Sequence, residues 1–150
     1  MHNLNPISPL GNTEPLSEEF GSYTLSEITS YSLASFTLRK GTEGDARKII
    51  EQFIQGSLPD IMTSNFGKIS SFWIGPSQWL IEAPMETHED LAGDLTEIAN
   101  GTASVTEQTD AWCRFDLKGQ ELASPLALLC NVDVPSFKGC LLYTSDAADD

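Results

Sequence analysis

Positive charge is scarce in this chain. Its 150 residues hold 8 lysines and arginines against 22 aspartates and glutamates, a formal net charge of −14. Such a surface repels phosphate backbones, which excludes nucleic acid as the expected partner, and it complements a basic protein face. Long apolar runs are also missing: no stretch approaches the roughly 20 apolar residues that a membrane-spanning helix needs. Met1 to Leu16 has neither a lysine or arginine nor an apolar stretch. A secretory signal requires both, so the expected location is cytoplasmic. Cysteine is limited to Cys113, Cys130 and Cys140. Three residues at these spacings make neither a disulfide framework nor a zinc motif, and free thiols are expected.

Catalytic chemistry is thinly supplied. Of the two histidines, His2 lies at the very start and His88 sits at a helix start beside Glu86, Glu89 and Asp90. No second histidine or cysteine stands at ligand spacing from His88. Asp90, Asp94 and Glu97 recur at i, i+4 and i+7, which describes one solvated helix face better than an acid–base pair. None of the glycine-rich dinucleotide, phosphate-loop or nucleophile-elbow patterns is present. Gly41 and Gly44 bracket a turn before a helix, where an anion can in principle bind, but no Walker lysine or hydroxyl follows in register. Cys113 adjoins Arg114, yet neighbours on a strand face opposite ways, predicting a core thiol and a surface guanidinium. No catalytic, cofactor-binding or metal-ligating residue is expected.

What the sequence does contain is a regular alternation of strand and helix signals. Residues 1–22, rich in Asn, Pro, Ser, Gly and Glu, read as an extended arm, tied down only if Ile7 and Leu10 pack on something. Tyr23–Ile28 and Ser32–Arg39 alternate as strands, the second two-sided and central. Asp45 opens a helix carrying Ile49, Ile50, Phe53 and Ile54, closed by Gly56 and Pro59. Phe72–Ile74 and Trp79–Ile81 flank Gly75-Pro76-Ser77, a β-hairpin pattern. Thr87-x-x-Asp90 resembles a capping box before the stripe Leu91, Leu95, Ile98, which Asn100-Gly101 ends. Ala103–Thr109 and Trp112–Leu117 predict two more strands. Leu122, Leu126 and Leu129 predict a third helix starting near Ser124, with Pro125 in its first turn. Asn131–Val134 predicts a short extended exit. The order ββα-ββα-ββα argues for an α+β domain with helices packed on antiparallel strands.

The tryptophans Trp73, Trp79 and Trp112 are expected to be partly core. Tryptophan and arginine are also enriched at interface hot spots, so Trp112 and Arg114, sharing one strand face, form the candidate docking patch. Residues 140–150 resemble something else: Cys140 to Asp149 matches, codon for codon, the translation of a sequencing-library adapter. On that reading the native chain is followed only to about Gly139, and the tail is set aside from fold reasoning. The expected division is an arm at 1–22, a domain at 23–139 and a non-native tail at 140–150.

Four strings carry a family resemblance. Phe72 to Ile81 resembles the W-x-G-P-x-x-W-L pattern of the gamma subunits of heterotetrameric sarcosine oxidase. Val105 to Leu117, finishing at Gly119, resembles their strand pair V-D-x-S-x-A-x-x-R-x-x-L-x-G. Leu128 to Phe137 resembles their L-x-x-L-C-x-x-D-L-x-x-x-x-F segment, and Ser8-Pro9-Leu10 their N-terminal S-P-L. Departures fall at Thr109, at Pro125 and where the chain stops while the family continues. The resemblance implies a fold similar to the folate-binding domain of the glycine-cleavage aminomethyltransferase. It implies an accessory subunit without catalytic residues, packed chiefly on the alpha subunit in a complex with beta and delta subunits. That complex demethylates sarcosine to glycine, releasing formaldehyde or methylene-tetrahydrofolate together with hydrogen peroxide. FAD, FMN, NAD and zinc are implied on the partners, and tetrahydrofolate as a substrate of the complex. The alternatives are a stand-alone folate-binding or aminomethyl-transfer module, with Asp110 or Asp116 facing the pterin, and an unrelated small binding domain.

Overall fold

Apolar alternation along the chain translates directly into strands. The computed structural model describes residues 7–129. In chain order its elements are β1 (Ser17–Phe20), β2 (Tyr23–Ile28), β3 (Tyr31–Leu38), α1 (Glu43–Ile54), β4 (Ser64–Asn65), β5 (Ser70–Gly75), β6 (Gln78–Pro84), α2 (Leu91–Ala99), β7 (Ala103–Glu107), a 3-10 turn (Thr109–Ala111), β8 (Arg114–Gly119) and α3 (Ala123–Leu129). The fold is α+β, with antiparallel sheets and three helices. Two short strands extend the expected order to βββα-βββα-ββα, because Ser17–Phe20 pairs with β2 and Ser64–Asn65 with β5. Neither has an apolar alternation that marks it in the sequence. The expectations for Cys130, for Asn131–Val134, for Cys140 and for the tail at 140–150 lie outside the described residues.

The described chain forms two compact units, residues 30–109 and residues 7–29 with 110–129. In the first, the strand order is β4-β5-β6-β3-β7. Register sets Ala34 opposite Ile81 and Phe36 opposite Trp79. On this face Ala46 and Ile50 of α1 and Leu91, Leu95 and Ala99 of α2 complete the core. Leu33, Leu80 and Phe72, on the opposite face by alternation, are buried as well. β3 and β6 are therefore buried on both sides, as a central strand requires. The Trp79 indole N–H donates to the Pro59 carbonyl at 2.9 Å, which satisfies the one polar atom of a buried ring.

Helix boundaries depart from expectation in two places. α1 begins at Glu43, after Thr42, so Asp45 lies within the first turn rather than opening the helix, and Gly44 is helical. Thr87 does not cap α2. Its hydroxyl donates to the Pro84 carbonyl, and Asp90 is the cap, its carboxylate accepting from Gly93 N–H at 2.9 Å. The helix starts one turn later than the Thr87 pattern suggests because Asp90 lies directly before the apolar stripe. The C-terminus at Asn100, in the left-handed region, is as expected.

In the second unit, β2 lies between β1 and β8. The strands expected at 103–109 and 112–117 both form, as β7 and β8, but they do not pair with each other. β7 pairs with β3, while β8 pairs with β2. Thr109 marks where the paths part: Leu33 N–H donates to its hydroxyl at 2.9 Å, and its own N–H is taken by the Glu107 carboxylate at 2.7 Å. These bonds fix the end of β7 on β3, and the 3-10 turn then redirects the chain.

Candidate docking surface

Register and alternation sort the three-stranded sheet into two unlike faces. One carries Glu18 and Phe20 of β1, Tyr23, Leu25 and Glu27 of β2, and Phe115 and Leu117 of β8. The other carries Ser17 and Ser26, whose hydroxyls lie 2.7 Å apart, and Arg114 and Asp116. Arg114 Nε and Nη2 both donate to Asp116 Oδ1 at 3.3 Å. Both side chains are half-exposed, so this pair contributes about 0–1 kcal/mol.

The apolar face is open. Phe20 is 52% exposed and Phe115 40%, while Tyr23, Leu25 and Leu117 are half-buried. Glu27 is the exception, buried at one end of this face. Its carboxylate accepts from Leu10 N–H at 2.7 Å and from Leu16 N–H at 2.6 Å. The arm is thus fastened by a carboxylate rather than by its own apolar side chains, since Ile7 and Leu10 remain exposed. Burial pushes the Glu27 carboxyl up, but the Leu16 and Leu10 amides and the Ser8 hydroxyl outweigh it and hold it below the ordinary glutamate value.

The residues singled out in the sequence are dispersed. Trp112 precedes β8 and is half-buried, so strand alternation does not place it on one face with Arg114. Cys113 is exposed rather than a core thiol, because it lies in the link that carries the chain from one sheet to the other. Asp110 is exposed in the 3-10 turn, and Asp116 is engaged by Arg114. His88 lies just before α2, with its ring edge-on to Phe53 at 5.7 Å and Nδ1 2.9 Å from the Thr87 hydroxyl. Among the described residues no group of three or more His, Cys, Asp or Glu is placed to hold a metal ion, and no helix is long and apolar enough to cross a membrane. The turn at Gly41 already holds an anion, for its N–H donates to the Glu43 carboxylate at 2.8 Å. The amides of Glu43 itself and of Gly41 lower that carboxyl's pKa, against a smaller opposing effect of burial. A phosphate there would displace a favourable internal contact and meet a like charge.

Two features were not foreseen from the sequence: the Glu27 clasp and the exposure of Phe20 and Phe115. Alternation does assign Phe115 and Leu117 to one face. It does not say whether anything covers that face.

No family model and no curated protein matches this chain. Among solved structures the chain is similar to one chain of the heterotetrameric sarcosine oxidase from Corynebacterium sp. U-96, solved in complex with pyrrole 2-carboxylate, with a TM-score of 0.56 and 16% sequence identity. The similarity covers 69% of this chain and 53% of that one, so the chain spans about half the length of its structural neighbour. At this identity what is shared is the α+β fold.

Proposed function

We propose that this chain is an accessory, gamma-like subunit of a heterotetrameric sarcosine-oxidase-type complex. The observation that carries this reading is the fold shared with a sarcosine oxidase chain. The gamma-like string from Trp73 to Leu80 supports it, since it forms the β5–β6 hairpin within the five-stranded sheet. In such a complex the oxidation of sarcosine to glycine takes place on the alpha and beta subunits, which hold FAD, FMN and NAD, and the delta subunit holds zinc. Tetrahydrofolate accepts the one-carbon unit there, or formaldehyde is released, and oxygen is reduced to hydrogen peroxide. The present chain contributes docking, chiefly to the alpha subunit, with Trp112, just before β8, at the edge of the contact.

Co-expression with flavin-bearing oxidase subunits encoded beside its gene tests this. The expected result is a stoichiometric complex with sarcosine-dependent peroxide formation, and lower assembly when this chain is omitted. Trp112→Ala is expected to weaken assembly more than Glu97→Ala, which lies on an exposed helix face. Failure of the wild-type chain to co-purify with those subunits rejects the proposal.

A further inference from the structure

We infer that the apolar face of the three-stranded sheet, centred on Phe20, Leu25, Phe115 and Leu117, docks a protein surface that has an apolar centre and a lysine- and arginine-rich rim. This rests on the subunit reading above and names the surface it uses.

Three observations converge. First, the described part of this unit buries no apolar side chain fully; Ser8 and Glu27 are its buried residues. The face nevertheless carries a contiguous apolar register, with Leu25 directly opposite Leu117 and Phe20 opposite Tyr23. A three-stranded sheet needs its apolar face covered to be stable, and an exposed contiguous patch marks an interaction site. Leu10, whose N–H meets Glu27 at one end of this face, is itself 55% exposed.

Second, the charge of this unit is predominantly negative. Residues 7–29 and 110–129 hold seven carboxylates against Arg114 and Lys118. Arg114 is already paired with Asp116. Glu18 lies on the apolar face itself, opposite Leu25, while Glu19, next along the same edge strand, alternates to the other face. An acidic rim around an apolar centre selects a partner with the opposite rim. Third, a second copy of this chain would bring two acidic rims together, which is unfavourable in a symmetric contact.

The test uses the full chain co-expressed with the neighbouring oxidase subunits, and reads assembly by native mass spectrometry and affinity by titration. Phe20→Ser with Phe115→Ser is the first variant, and Glu18→Lys with Glu19→Lys the second. All four side chains are exposed, and an unchanged melting curve confirms folding of each variant. The expected result is a loss of roughly tenfold or more in affinity for the first variant. For the second, association slows and the wild-type sensitivity to salt falls. Wild-type assembly with no loss in either variant overturns the surface and leaves the subunit reading intact. Absence of wild-type assembly overturns both. A wild-type chain that dimerises alone, and becomes monomeric on Phe115→Ser, assigns the face to a second copy and overturns the proposed partner.

Discussion

The Glu27 carboxylate receives two amides from an arm that brings almost no buried apolar surface of its own. Its folded pKa is lowered, so the clasp stabilises the arm above the ordinary glutamate value and is lost as pH falls through the folded one. Acid titration followed by amide NMR is expected to move the Leu10 and Leu16 signals together below that range. Glu27→Ala is expected to speed hydrogen exchange at both amides at neutral pH, with residues 30–109 unaffected. Unchanged exchange at Leu10 and Leu16 would show that something other than Glu27 holds the arm. Trp79 illustrates the opposite case, a buried ring fixed on three sides. Its indole bonds to Pro59, its ring packs in the core, and the Arg47 guanidinium lies 5.2 Å over its face.

At the level of elements, α2 depends on a short-range fit. The Asp90 carboxylate caps the helix by occupying the space that a side chain at Gly93 would fill, so the pair works only with glycine at the third helical position. Asp90→Ala is expected to cost about 1 kcal/mol, measured by urea unfolding. Gly93→Ala is expected to gain less than its helix propensity implies, because the added methyl displaces the cap. β8 depends on a comparable fit at Gly119, where a Cβ would lie 2.8 Å from the Ser22 carbonyl oxygen in the β2 pairing.

At the level of the molecule, apolar burial is uneven. The core cluster lies entirely within residues 30–109, whereas residues 7–29 and 110–129 bury no apolar side chain fully. Opening free energy scales with such burial. Native-state hydrogen exchange is therefore expected to find the most protected amides in β3 and β6 and much weaker protection in β2 and β8. Binding of a partner to the open face is expected to raise protection in β2 and β8 selectively. Equal protection in both units of the isolated chain would contradict this.

The sequence by itself determined the periodicities, and with them most of the elements. Alternation from Ser32 to Arg39, the Gly75-Pro76-Ser77 turn and the Leu91–Leu95 stripe each specify their structure through nearest neighbours on one face. It also determined the acidity and the sparse supply of catalytic groups. It did not reveal β1, whose Ser-Glu-Glu-Phe has no apolar pattern and is a strand only because β2 offers it an edge. Strand partnership was likewise beyond it: β7 and β8 lie close in sequence but join different sheets, since pairing is decided by contacts such as Leu33 with Thr109, 76 residues apart. The same holds for Phe20 and Phe115. Only the tertiary structure decides that the face they share is left partly exposed among the described residues, because burial is a property of what lies opposite and not of the strand itself.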